Sequence, residues 1–449
     1  MKRAAIAAGA LAAGLLVVLV ATRSREVDRD PGAGVPGTLG MASSTRLPAG
    51  GSHLDFLYGR VTTDDGTIHE GRLRWGGDEE AFWGDFFNGY KVENLWAAHL
   101  RAEQLKESVP IEILGLRIAT REREINLLRP FRARFGDIRR IEAQRHDIRV
   151  TLKSGTVFDL DGLNADDIAD GLRVWDARRG VLDFDESKIR IVELLSPGRG
   201  GVDLKRLHGT VRTQQGDFTG FVQWNRRDCV GSDELHGETD EGDLNIAFDT
   251  IGAIERQSHD ASRVTLVDGR ELVLSGTPEV GHGNRGIYVD DRRYGRVLVS
   301  WDAFERVDFS PADSSPGYDD FPAGHSLRGR VTTREGRSLV GRLVYDLDES
   351  ETTETLDAPF EGINYAIPFG LIASIVPASN GESGTQLARV VLHSGEKLQL
   401  EPAGDLSEGN PGMLIFGDQE AGVEFVPWTD LVRVDFDRPP AMYPPLDGT

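Results

Sequence analysis

The sequence predicts an all-β protein, and three observations carry that prediction. The stretch "GRVTTDDGTIHEGRLRW" at 59–75 returns as "GRVTTREGRSLVGRLVY" at 329–345 and, more loosely, as "GTVRTQQGDFTGFVQW" at 209–224. Each copy places apolar residues two apart, the period of a strand with one buried face. Each also carries a "DDG", "REG" or "QQG" turn, where glycine adopts positive φ at little cost. A second hairpin pattern, V-x-L-x-x-G-x-x-Φ-x-Φ with Φ apolar, follows each copy. Finally, five of six such units have nearly one length.

The chain begins with "MKR" and an apolar run from Ala4 to Ala21, followed by "TRSREVDRDPGAGVPG". A basic start and an apolar stretch make residues 1–21 a secretory signal peptide or an uncleaved signal anchor. As a helix the run would extend about 27 Å, just short of a bilayer core. Leu19 stands third before a cleavage point after Ala21, where a bulky residue is unfavourable, so the anchor is the preferred reading. Residues 22–52 are rich in Gly, Pro and Ser and read as a flexible linker.

The first signature is met by Gly59, Val61, Thr63, Gly66, Gly71, Leu73 and Trp75. It recurs at Gly209, Val211, Thr213, Gly216, Gly220, Val222 and Trp224, and at Gly329, Val331, Thr333, Gly336, Gly341, Leu343 and Tyr345. The second is met by Val150, Leu152, Gly155, Phe158 and Leu160, then by Val264, Leu266, Gly269, Leu272 and Leu274, then by Val390, Leu392, Gly395, Leu398 and Leu400. An aromatic residue followed by apolar residues three and six later closes most units: Phe135–Ile138–Ile141, Phe248–Ile251–Ile254, Trp301–Phe304–Val307, Phe369–Ile372–Ile375 and Trp428–Leu431–Val434.

Measured between these signatures, 209–254, 264–309, 329–375, 390–436 and 150–194 span 46, 46, 47, 47 and 45 residues. Only 59–141, with 83, is longer, which places an insertion at about 89–125. Hairpin, variable arm, strand, single turn and final strand in this order resemble the SH3-like or Sm-like small β-barrel, across residues 54–437. The nucleic-acid residues of Sm proteins have no counterpart here, so that function is not implied. Units so short bury little core alone. The resemblance therefore implies three tandem repeats, each a pair of barrels: 53–197 with the insertion, 203–311 and 325–438, with 439–449 a C-terminal tail.

The 449 residues carry 73 Asp plus Glu against 51 Lys plus Arg, a formal net charge of −22. Such a surface repels nucleic-acid backbones and favours solubility, cations or basic partners. Cys229 is the single cysteine, so no disulfide forms within the chain. Its setting, "RRDCVGSDE", reads as a polar loop. The sequence has no H-E-x-x-H, G-x-S-x-G, Walker or C-x-x-C motif, and points to no catalytic residue, metal site or cofactor. His259–Asp260 reads as a solvated loop. "GTPEVGHGNRGI" reads as a connection, because a strand rather than a helix follows its glycines. The acidic pairs "DLDG", "DFDE" and "DLDESE" do not match a calcium loop.

One stretch has the composition of an interface. "GGDEEAFWGDFFNGYK" sets Phe82, Trp83, Phe86, Phe87 and Tyr90 beside Asp85, and the following residues place Leu95, Trp96, His99, Ala102 and Leu105 on one helical stripe. Rigid aromatics with a polar rim make binding hot spots. The same residues could instead plug the first barrel. The candidate binding set is Phe82, Trp83, Asp85, Phe86, Phe87, Tyr90 and Trp96. We read the chain as a non-enzymatic binding or scaffolding protein on the periplasmic or extracellular face, tethered by residues 4–21, with an envelope protein or peptide as partner. A hydrolase using Asp/Glu and His near the insertion, and a structural spacer, are the alternatives.

Overall fold

Alternating burial makes the strands. In Tyr58–Thr63, His208–Thr213 and Arg328–Thr333 the glycine, valine and last threonine of each signature face inward while the residues between them do not. The signature glycine is required by packing. A Cβ at Gly209 would sit 2.5 Å from the carbonyl oxygen of Asp308 on the neighbouring strand.

The computed structural model describes residues 53–76, 79–104, 106–113, 116–124, 130–144, 147–162, 171–197, 204–312, 316–378, 387–417 and 422–440. The expected anchor and linker at 1–52 and most of the expected tail at 439–449 lie outside the described residues. The protein is all-β, built from several sheets, and its longest described helical element is the five-residue 3-10 turn Leu95–His99. No described helix is long and apolar enough to cross a membrane.

The spacing of three in the closing element has a structural cause. Phe248 opens the 3-10 turn Phe248–Thr250, so the strand starts three residues later at Ile251. Inside that strand a bulge between Ile251 and Ala253 absorbs one residue, returning Ile254 to the buried face beside Ile251. The same turn and bulge occur at Phe135–Ile141 and Phe369–Ile375.

The hairpins pair with strands from far along the chain. In 204–312, Gly216–Gln223 lies beside Ile287–Asp291, and His208–Thr213 beside Phe304–Phe309. Reciprocally, the hairpin of Ala261–Leu266 and Glu271–Ser275 lies between Ile251–Arg256 and Glu234–Thr239. The two closing strands, Ile251–Arg256 and Phe304–Phe309, then pair with each other, Ile254 opposite Val307. Equivalent closing pairs set Ile141 opposite Val192 and Ile375 opposite Val434.

This pairing corrects the expectation of closed barrels. A barrel closes when its last strand returns to its own first strand. Here each last strand takes the first strand of the other half on one edge and the other half's last strand on its second edge. Among the described residues the result is three open sheets of eight, twelve and eight strands, beside two two-stranded ones. The twelve-stranded sheet also accepts Ile363–Pro368 and Thr355–Phe360 at its edge, through pairing of Gly295–Val299 with Ile363–Pro368.

The insertion is also corrected. Among its described residues only Leu95–His99 is helical, and Lys106–Ile113 pairs with Leu116–Glu124 as a hairpin. Pro110 and the β-branched Val109, Ile111 and Ile113 oppose a helix and suit a strand. Leu105, the end of the expected stripe, lies outside the described residues.

The repeated aromatic positions are core. Trp75, Trp224 and Tyr345 are fully buried, and Trp301 and Trp428 nearly so. Trp301 meets Trp224 edge-on at 6.3 Å and stacks on Phe304 at 5.4 Å. Trp301→Ala should therefore cost about 3–5 kcal/mol in a urea denaturation series, through the cavity it leaves.

Candidate functional site

The aromatic stretch after Trp75 folds inward. Phe82 and Phe87 are fully buried, and Phe87 packs edge-on against Trp75 at 5.5 Å and Phe135 at 6.2 Å. The stretch "GYDDFPAGH" at 317–325, between the second and third expected repeats, contributes to the same core. Tyr318 lies 5.0 Å from Phe82 and donates to the Ile138 carbonyl at 2.8 Å, while Phe321 lies 6.3 Å from Trp83.

Asp85 holds this arm to residues 287–296. One carboxylate oxygen accepts from the backbone N–H groups of Glu80 and Ala81, both at 2.9 Å. The other accepts from the Arg296 guanidinium at 2.9 Å, which also binds Asp290 at 2.9 Å. Arg206 bridges Asp290 to the Trp83 carbonyl, and the Trp83 indole donates to the Asp290 carbonyl. Gly84 has φ +105, and a Cβ there would collide with the Asp290 carboxylate. The acid that ties two backbone N–H groups recurs as Asp233, on Cys229 and Val230, and as Glu354, on Ser350 and Glu351. Asp85 is thus a loop-bracing acid that also meets a buried arginine.

Trp83 and Phe86 consequently have almost no aromatic area in water, being 3% and 7% exposed. Of the candidate binding residues, Phe82, Trp83, Asp85, Phe86 and Phe87 lie in the core or the junction. Tyr90 and Trp96 lie at the surface beyond it. Tyr90 is 48% exposed. Trp96 is half-buried, edge-on to Phe416 at 5.8 Å and under the Arg342 guanidinium at 5.0 Å.

These two residues border a pair of adjoining clefts that meet at Lys91. One, of about 280 Å³, is lined by Tyr90, Lys91 and Arg132 together with Asp348, Glu349, Glu354, Asp357 and Asp405. The other, of about 390 Å³, runs along Val92–Trp96 and past Phe158. The Lys91 ammonium donates to Asp348 at 2.6 Å and to Glu354 at 3.3 Å, and sits 4.9 Å from the Phe158 ring centre. Arg132 bonds Asp357 at 3.3 Å. Five carboxyl groups therefore face two cations in the first cleft.

Burial, then the neighbouring carboxylates, push Glu349 and Asp405 well above the usual carboxylate range. Together with Asp346 their oxygens gather within 4.8 Å, a set able to hold a cation. The turn that presents Asp346 and Glu349 has Asp346 and Leu347 at φ 50 and 56 between bridged Tyr345 and Glu349, while Asp405 comes from the 3-10 turn Gly404–Leu406. "DLDESE" marks that turn in the sequence as an acidic pair. Lys91, Glu349, Glu354 and Asp405 carry no local signal as a group, because Lys91 meets partners more than 250 residues away.

Cys229 corrects the polar-loop reading. It is buried with Phe56 and Val230, and burial pushes its thiol well above the usual range.

Two outcomes follow. Asp85→Ala should cost about 2–4 kcal/mol in chemical denaturation, because it leaves the buried Glu80 and Ala81 N–H groups without their acceptor and removes one of the two carboxylates on Arg296. Asp228, in the turn bridged to Trp224, has its pKa raised to about 7 by burial and by Glu279 and Asp233. Between about pH 4 and pH 7 the unfolded chain has lost this proton while the folded chain retains it, so stability falls as pH rises. Asp228→Asn should flatten that slope in melting curves recorded across the same window.

No family model and no curated protein matches the chain. Among solved structures, selenomethionine-substituted virginiamycin B lyase from Staphylococcus aureus is similar at 8% identity, over 67% of this chain and 94% of that one, with a TM-score of 0.11. A likeness that weak carries no argument about fold or activity.

Proposed function

We propose that the chain is an exported, membrane-tethered, non-enzymatic binding protein of the cell envelope, which holds a cationic segment of an envelope partner in the cleft beside Lys91. The observation that carries this reading is the acid excess of that cleft, with Tyr90 exposed at its rim. The basic start and apolar run at Ala4–Ala21 support export, and the net charge of −22 supports a basic partner over nucleic acid. A spacer would need no such cleft.

On the same footing, we read 53–197, 203–311 and 325–438 as three tandem repeats of a duplicated SH3-like unit whose opening hairpins have been exchanged between halves. The 45–47 residue spacing and the recurring strand order support this.

A cation entering the cleft would draw protons from Glu349 and Asp405, so affinity should rise with pH. Titrating the purified chain with penta-lysine should give saturable binding, weakened about tenfold, or about 1.4 kcal/mol, in the Glu349→Gln/Asp405→Asn variant. Equal affinity of the variant would overturn the reading.

The hydrolase alternative keeps one supporting observation, since two raised carboxyl groups facing a cleft are also the composition of an acid–base pair. It predicts turnover of an envelope peptide or glycan that Glu349→Gln abolishes, whereas the binding reading predicts retention without turnover. Fractionation tests the tether: full-length protein should sediment with membranes, and recovery of only a processed soluble form decides against it.

A further inference from the structure

We propose that His259, Asp260 and His282 form a binding site for a divalent cation of the zinc class. His259 and Asp260 are adjacent in sequence, but His282 arrives from the connection between Glu271–Ser275 and Ile287–Asp291. Their rings lie 4.3 Å apart at an interplanar angle of 21°. His259 Nδ1 is 2.9 Å from Asp260 Oδ1, and His282 Nδ1 makes a close contact with the same oxygen. One donor atom from each residue therefore falls within 4.8 Å of the others.

Ligand atoms of a tetrahedral zinc lie roughly 3.3 Å apart, given metal–nitrogen bonds near 2.0 Å. The observed convergence needs only a small opening to admit the ion. Two imidazoles and one carboxylate favour Zn²⁺ and its neighbours over Ca²⁺ or Mg²⁺, which prefer all-oxygen surroundings. The three side chains are 62–69% exposed, so further coordination positions face water.

The two loops are pinned from beneath, which fixes the spacing of the side chains they carry. The Trp301 indole donates to the His259 carbonyl at 3.2 Å. Ser262, fully buried, donates to the Val280 carbonyl at 3.0 Å. The Trp224 indole and the Asn284 amide both donate to the Glu279 carbonyl, at 3.0 and 2.9 Å. Gly281 packs directly on Asp260, where a Cβ would come within 3.1 Å of its Cα. Loops held this way present donors already in place, which reduces the ordering cost of binding.

The test is calorimetric titration of the untagged full chain with ZnCl₂, and in parallel with CaCl₂. One saturable equivalent of Zn²⁺ should bind at this site, with no matching Ca²⁺ event. His259→Ala and His282→Ala should each weaken it by about tenfold or more, as expected when one of three ligands is lost. Zn²⁺ should raise the melting temperature of the parent chain but not of the His282→Ala variant. Because all three side chains are exposed, these variants should fold, which circular dichroism checks. No saturable binding, or equal Zn²⁺ affinity in the His259→Ala/His282→Ala double variant, overturns the proposal. So does binding that Glu349→Gln removes and the histidine variants do not, since the ion would then reside in the acidic cleft.

Discussion

Each large sheet is organised around one antiparallel contact between two closing strands, Ile141 with Val192, Ile254 with Val307 and Ile375 with Val434. All six side chains are essentially excluded from water. On the outer edge of each closing strand lies the opening hairpin of the other half. Neither half therefore has a complete set of strand neighbours within its own sequence. Unpaired edge N–H and C=O groups are costly when buried, and the exchange satisfies them across the sheet. The stability of one half is thereby tied to that of the other.

The arm at 79–91 depends on this frame. Ile287–Asp291 and Gly295–Val299 present Asp290 and Arg296 from the second large sheet, and Asp85 meets them there. The arm then runs on past Phe86 and Phe87 to Lys91, whose partners Asp348 and Glu354 belong to the loop after Tyr345. The cleft exists because these distant stretches are fixed against one another. Its acidity comes mostly from that loop, and its aromatic rim from the arm.

Strand identity was readable from the sequence because alternating residues and turn glycines are local. The spacing of Phe248, Ile251 and Ile254 was readable too, although its cause, a 3-10 turn followed by a bulge, was not. The partner of each hairpin could not be read. Alternation says which face is buried and is silent on which strand lies at the edge, so closed barrels and exchanged sheets satisfy the same pattern. The aromatics at 82–87 announced either a surface or a core, and their burial was decided by Tyr318, Phe321 and Arg296, all far along the chain. Likewise His282 gave no hint that it would meet His259, since a glycine-rich connection folds back to bring it there.

Native-state hydrogen exchange over residues 204–312 tests the interlocked architecture most directly. Exchanged pairing requires that strand amides around Val211 and Val222 exchange through the same opening, with the same free energy, as those around Val264 and Leu274, because neither hairpin can open without removing the other half's neighbours. Protection of one half surviving the separate, lower-energy opening of the other would contradict it.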